Sequence, residues 1–587
     1  MDSSTSTSTI IPAADEAVPA PEKSSVRCAS RSSSSSRRSR SSSSSRSSRR
    51  RIVVSEKRRL VILALRYVIS QKEYAFVRRR VLAKAPPSIA SNTPTRAEFD
   101  AVVKAATWDD FLPASSRAGL RMLLLCNVLL NSFQYIVGRL RSRKLNTPPP
   151  PLRLLFLNKP NFLSACSLST LIVFHRLLYR FFYQLRSNLQ LPEAKEFRQK
   201  YPKASQLFLS PRAPPLTASL AGFALLLHPA TDRRVTISVY TFVKALEFIY
   251  NRYEDEGWFQ NRPWWLGSWL LFPLTSGQLL YSFLFERYAF PEEYCNFITK
   301  YSPEYIQPRP VDLSPHLPWP DTFEVLDSLP KIASLRFPPF SSPILFPHGK
   351  PLPTTLTSIS PIVSPAHPAI KSLQCALLHP SEPSCLKTYI HFWASELPRI
   401  SRFLAAIYCV AWIPRYKKAL SDPTLALKKI TSATALTSLF ITGALGSAWA
   451  ACCLLQSFLP AIILPKLRFW LAGFLAGLWA AVDRHNGRAN FLYSARIGLV
   501  SAWKVLHHKG WVAPLRNGDV LLFVAALMAV NSVYDTDPAA ISGGVARRVL
   551  ASLRGRGFRD YVAEKMEREK RVAPLTEEEV PVERKVL

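Results

Sequence analysis

Apolar runs recur along this chain in a pattern that pairs them. From Phe469 to Leu506 an uncharged stretch, Phe469 to Val482, meets a short turn containing Asp483, Arg484, His485 and Arg488. A second apolar segment then returns with Tyr493 and Arg496 on one face. A weaker relative runs from Leu216 to Asn251, where His228-Pro229 ends the first arm and Asp232, Arg233 and Arg234 occupy the turn. On its second arm Thr236, Tyr240, Lys244, Glu247 and Asn251 are spaced four, four, three and four apart, which puts one polar stripe on an otherwise apolar helix. Small residues stand four apart in both first arms, Ala218 with Gly222 and Gly473 with Gly477, the spacing that lets helix backbones approach closely in lipid. A helical hairpin present twice predicts two related halves.

Other apolar runs predict further helices. Gly119–Gly138 carries one charge, Arg121, near its end. Phe162–Leu185 contains His175, Arg176 and Arg180, which either snorkel from a helix end or line a path. Pro263–Phe285 is uncharged throughout and opens with Trp264 and Trp265, predicting a span with an aromatic belt and a kink at Pro273. Ile430–Pro465 is also free of charge, and it is longer than one bilayer core of roughly 30 Å requires at about 1.5 Å per residue. Val520–Tyr534 predicts a shorter apolar helix. The expected fold is therefore all-α, a multi-pass helical membrane protein.

The remaining stretches divide the chain. Residues 1–51 form a Ser/Arg-rich tail expected to be disordered and basic. Residues 52–150 hold amphipathic helices and the first span, and 151–300 the first membrane half. Residues 301–372 read as a Pro-rich linker outside the membrane, with sixteen prolines between 303 and 372. Residues 373–545 form the second half, and 546–587 a charged amphipathic tail outside the membrane.

Composition narrows the function. A 48% hydrophobic fraction beside a formal charge of +36 fits apolar spans flanked by basic loops. A nucleic-acid binder could be as basic but would not need long uncharged runs, and nucleic acid is not an expected partner. Nine dispersed cysteines argue for reduced thiols rather than a disulfide framework. The polar first fifty residues lack a signal-peptide pattern, so targeting is expected to be internal. No phosphate loop, HExxH, GxSxG or paired-carboxylate motif is present, and neither enzyme activity nor a cofactor is expected.

Two constellations could carry chemistry. The polar stripe, with Arg233, Arg234, Tyr240, Lys244, Glu247, Arg488, Tyr493 and Arg496, either satisfies itself against a neighbouring helix or lines a pathway, and the first is expected. In CALLHPSEPSCLKTYIH, Cys375, His379, Cys385 and His391 are ligand types that zinc accepts. Their spacing fits no common finger, and the expectation is a reduced, packed thiol pair without metal.

The hairpin text resembles the transmembrane protein 135 family, itself related to mitochondrial inner-membrane translocase channel subunits and a small peroxisomal membrane protein. The matching residues are Ala221-Gly222, Arg233-Arg234, Thr236, Tyr240 and Lys244 to Glu247. In the second copy they are Ala472-Gly473, Ala476-Gly477, Arg488, Tyr493 and Arg496. Cys375, His379, Pro380 and Cys385 also match that family's cysteine-rich region. The second copy departs at the double Arg and has Ser501-Ala502-Trp503 in place of Ala-Leu-Glu. The resemblance implies a multi-pass protein of mitochondria or peroxisomes concerned with organelle dynamics or lipid handling, without a defined reaction. A non-catalytic scaffold or regulator is expected, partnered by membrane lipids and by other membrane proteins or a second copy. The alternative is a transporter or channel for an anionic metabolite or lipid that uses the boundary arginines.

Overall fold

The computed structural model describes residues 55–572, apart from positions 85, 88–92, 106–109, 149–150, 152–157, 230–231, 264, 315 and 348–350. The Ser/Arg tail, Trp264 and the C-terminal end of the chain from position 573 lie outside the described residues. Helices make up the described chain, and its β-pairing is an isolated bridge between Pro339 and Ser372. Three amphipathic helices lead in, Glu56–Val68, Gln71–Arg80 and Arg96–Ala105, the first packed on the helix that starts at Phe111. Asp110 ties this corner together by pairing with Arg66 and Arg117, each at 2.9 Å.

Ten principal helices follow: α1 Phe111–Leu145, α2 Lys159–Gln190, α3 Asp232–Asp255, α4 Leu271–Phe285, α5 Cys385–Trp412, α6 Pro423–Phe458, α7 Leu467–Gly477, α8 Arg488–His508, α9 Gly518–Thr536 and α10 Gly544–Leu553. Among the described residues four helices are long and apolar enough to cross a membrane: Phe111–Arg143, Lys159–Gln190, Pro423–Phe458 and Gly518–Thr536. On α1 only 6% of the apolar window is buried, and Leu124, Leu129, Phe133 and Leu140 point outward.

The order of elements repeats. α1 packs on α2 as α5 packs on α6. α2 then packs on the first arm of its hairpin, a short α-helix Ala213–Ala218 that tightens into a 3₁₀ stretch, Ser219–Leu227. α6 packs likewise on α7, which tightens into the 3₁₀ stretch Leu478–Asp483. The returning arms are α3 and α8. The helix that closes each series crosses over: α4 packs on α7 and α8, and α9 packs on α3 and the Ala213–Leu227 arm. Each hairpin is thus completed by a helix from the other half of the sequence.

The 3₁₀ geometry explains which first-arm residues face inward. At three residues per turn, Ser219, Gly222 and Leu225 share a face, and all three are buried. Leu220, Phe223 and Leu226, one position on, share the exposed face. Ala218 and Gly222 therefore do not form the four-residue α-helical pair expected, because Ala218 closes the α-helical piece and Gly222 lies in the tighter one.

Three expected boundaries differ. The run from Pro263 to Phe285 is not one span: turns and a 3₁₀ stretch precede α4, which begins at Leu271 and covers 15 residues, about 22 Å at 1.5 Å each. Pro273 is in its first turn, where a missing N–H costs no helical hydrogen bond and no kink follows.

The segment 301–372 is not a linker. The helix Thr322–Ser334 starts at a capping box of Asp321 with Glu324 and buries Val325, Leu326, Leu329, Ile332 and Ala333. Leu356, Ile359, Ile362 and Val363 join these in one core with Leu280 and Phe283 of α4, Phe392 of α5 and Trp449 of α6. The prolines punctuate this segment, but the apolar residues between them are numerous enough to fold against the bundle.

The start of the C-terminal tail is also packed. Leu550 and Leu553 of α10 are buried beside α9 residues. The following Arg554 is paired with Asp535 at 2.5 Å.

Candidate functional site

The polar stripes of the two hairpins face each other across α3 and α8. Glu247, with a side chain 5% exposed, sits at the centre: Lys244 Nζ lies 2.7 Å from its Oε2, Ser542 Oγ donates to its Oε1 at 2.7 Å, and Arg488 Nε lies 4.0 Å away. Arg488 also donates to the Asn251 side-chain oxygen, and Asn251 Nδ2 donates to the Ala540 carbonyl at 2.8 Å. Further along α8, the Arg496 guanidinium lies over the rings of Tyr240 and Tyr493, at 5.6 and 4.6 Å. Tyr240, Lys244, Glu247, Arg488, Tyr493 and Arg496 are thereby brought together, and each charge has a partner. Ser542 completes the set from beyond α9, a contact no local spacing could signal.

Arg233 and Arg234 do not belong to this cluster. Arg233 is exposed. Arg234 turns to the start of α9 and pairs with Asp519, Nη2 to Oδ1 at 3.1 Å. His175 and Arg176 of α2 likewise neither snorkel nor line a path. His175 is fully buried between the Leu553 carbonyl (3.1 Å) and Asn531 (3.0 Å), and Arg176 donates to the Ser552 carbonyl.

Gly473 and Gly477 pack where backbones meet. A Cβ on Gly473 would come within 2.6 Å of the Ser276 carbonyl oxygen and 2.9 Å of Gly277 Cα, and one on Gly477 would strike Pro273. Gly222 faces Val524 and Phe523 of α9. Ala218 is fully buried.

Beside the turn of the second hairpin and the C-terminal end of α3 lies a cavity of about 450 Å³, lined by Tyr250, Glu254, Arg262, Trp269, Arg484 and Arg488 among others. Arg262 pairs there with Glu254 at 2.8 Å.

A second cluster gathers Cys375, His379, Cys385 and Cys453, whose ligand atoms all lie within 4.8 Å of one another. Cys375 lies in the short helix Leu373–Leu378, Cys385 is the first residue of α5, and Cys453 is near the end of α6. Cys385 Sγ is 3.9 Å from Cys375 Sγ and 3.3 Å from His379 Nε2, and Cys453 Sγ is 3.8 Å from that nitrogen. His379 is 2% exposed, and its Nδ1 is 2.7 Å from the Glu382 carbonyl oxygen. Hydrogen bonds from Cys375, Cys453 and His379 hold the Cys385 thiol far below its ordinary range. Burial lowers the His379 value, but hydrogen bonds with Cys375 and Cys385 outweigh it and push the imidazole up to about 10.

His391 is not in this group. Six positions past Cys385 on a helix it has turned by about 600°, leaving it roughly 120° away around the axis, and it is exposed. Cys453 takes its place from the far end of another helix, a separation over which spacing carries no information. No family model, curated protein or solved structure matches the chain.

Proposed function

We propose that the chain is a non-catalytic multi-pass membrane protein built from two related helical-hairpin halves, serving as a scaffold or regulator in the membrane of a mitochondrion or peroxisome. The four long apolar helices support the membrane setting, since the outward apolar face of α1 would be unfavourable in water. The repeated order of packed elements supports the duplication. The observation that carries the scaffold reading is the closure of the polar stripes on each other. Lys244, Glu247, Asn251, Arg488 and Ser542 engage one another where α3 and α8 meet, with Arg488 Nε left without a hydrogen bond, and this mutual pairing is what favours a packing role over a water-lined path. The organelle follows from the family resemblance and is tested by imaging a tagged copy against mitochondrial and peroxisomal markers.

Pure protein in liposomes is expected to leave the permeability to anionic metabolites at the protein-free level. Arg488→Ala is expected to change nothing in that assay. Retention in the pellet after carbonate extraction tests the membrane setting itself.

One observation favours a transporter for an anionic metabolite or lipid: the cavity of about 450 Å³ beside the turn of the second hairpin, where Arg262, Arg484 and Arg488 converge. A protein-dependent anion flux that Arg488→Ala abolishes would establish that reading and remove the scaffold.

A further inference from the structure

We infer that Cys375, His379, Cys385 and Cys453 form a closed tetrahedral zinc site that pins the 373–385 segment to the end of α6. In a tetrahedron with Zn–S near 2.3 Å and Zn–N near 2.05 Å, two sulfurs stand about 3.8 Å apart, and a sulfur and a nitrogen about 3.5 Å apart. Three of the six edges here are 3.9 Å between Cys375 and Cys385, 3.3 Å between Cys385 and His379 Nε2, and 3.8 Å between Cys453 and that nitrogen, and all four ligand atoms lie within 4.8 Å of one another. A 3.9 Å sulfur separation is far beyond the roughly 2.05 Å of a disulfide.

The surroundings complete the donor set. His379 Nδ1–H donates to the Glu382 carbonyl at 2.7 Å, the outer contact that orients the ring with Nε2 toward the sulfurs, where a metal takes the place of the Nε2 proton. Cys385 opens α5, where the positive end of the helix favours a thiolate. Cys453 and His379 are buried, and Cys375 and Cys385 pack against the same core that holds Cys453, Leu377, Leu378 and Phe392. Three thiolates and one imidazole, with no position left for water, make a structural rather than a catalytic zinc set. Binding releases to solvent the protons that the cysteine sulfurs and His379 Nε2 carry without metal, and changes no oxidation state. This role is independent of whether the bundle carries a solute.

The test is metal analysis of the full chain purified in detergent under reducing conditions. About one zinc per chain is expected, falling several-fold in Cys453→Ser and His379→Gln and unchanged in His391→Gln. Cobalt loaded into chelator-stripped wild-type protein is expected to give the intense visible bands of a tetrahedral thiolate site, a readout that does not depend on any variant folding. Three results would overturn the site: neither zinc nor cobalt held by the wild-type chain, a Cys375–Cys385 disulfide in non-reducing peptide mapping, or copper found in place of zinc.

Discussion

Glu247 shows what a single buried charge does in this bundle. Its carboxylate is held by Lys244, Ser542 and Arg488. Removing Glu247 takes their carboxylate from Lys244 and Arg488, whose side chains are 32% and 35% exposed, a loss of charge-assisted hydrogen bonding worth about 1.5–3 kcal/mol. Glu247→Ala should therefore lower the thermal midpoint in detergent markedly, whereas Arg233→Ala, at an exposed position, should shift stability by no more than about 0.5 kcal/mol. Equal midpoints for the two variants would show that the zipper between α3 and α8 is not closed. Acid behaviour follows from Glu73, whose pKa the Ser70 backbone N–H, the Ser70 hydroxyl and Arg121 bring down to about 2. A carboxylate with a folded value below its unfolded value near 4.5 adds stability above the unfolded value, and that stability is lost as pH falls toward 2. The difference in midpoint between wild type and Glu73→Gln should accordingly be full at about pH 6 and shrink steadily from about pH 4.5 downward. A difference independent of pH would remove the capping carboxylate as its source.

At the scale of elements, glycine substitutions should rank by what each new Cβ meets. On Gly473 it meets backbone, the Ser276 carbonyl and Gly277 Cα, which cannot move without separating α7 from α4. On Gly222 it meets the Val524 and Phe523 side chains, which can shift. Gly473→Ala should cost about 1–3 kcal/mol by overpacking and Gly222→Ala less, as read from thermal midpoints in detergent. The reverse order would mean that the arms pack differently. The two hairpins were legible because small residues, a charged turn and a polar stripe recur in both. The 3₁₀ turn in the first arm was less so, although a period of three is written in Ser219, Gly222 and Leu225. The folded character of 301–372 was also written there, in Asp321 with Glu324 and in the apolar spacing from Val325 to Ala333. Proline density concealed it, because proline reports where helices start and stop and not whether the intervening residues find a core. Of the candidate sites, Tyr240, Lys244 and Glu247 were legible from periodicity and Cys375, His379 and Cys385 from their proximity, whereas Arg233 and Arg234 stand outside the cluster. Cys453 and Ser542 were not, since tertiary packing alone brings them in.

For the whole molecule, the consequential feature is the exchange of closing helices. Chain order alone would assign α4 to the hairpin it follows, yet Gly277 and Leu280 of α4 lie against Trp470 and Gly473 of α7, in the other half of the sequence. α9 meanwhile supplies Phe523, Leu527 and Val530 to the core that contains Leu225 and Phe248 of the first hairpin. Neither half of the chain can bury its own closing helix, so each half exposes an apolar face that the other covers. A chain divided at position 349 should therefore behave as two interdependent pieces. Co-expressed, the pieces should co-purify in detergent as a single species with a thermal midpoint near that of the intact chain. Expressed singly, each should aggregate or be degraded, because α4 or α9 lacks the hairpin it packs on. Two pieces that were separately monodisperse and did not associate would show instead that each half closes on itself, and would return α4 and α9 to the hairpins they follow.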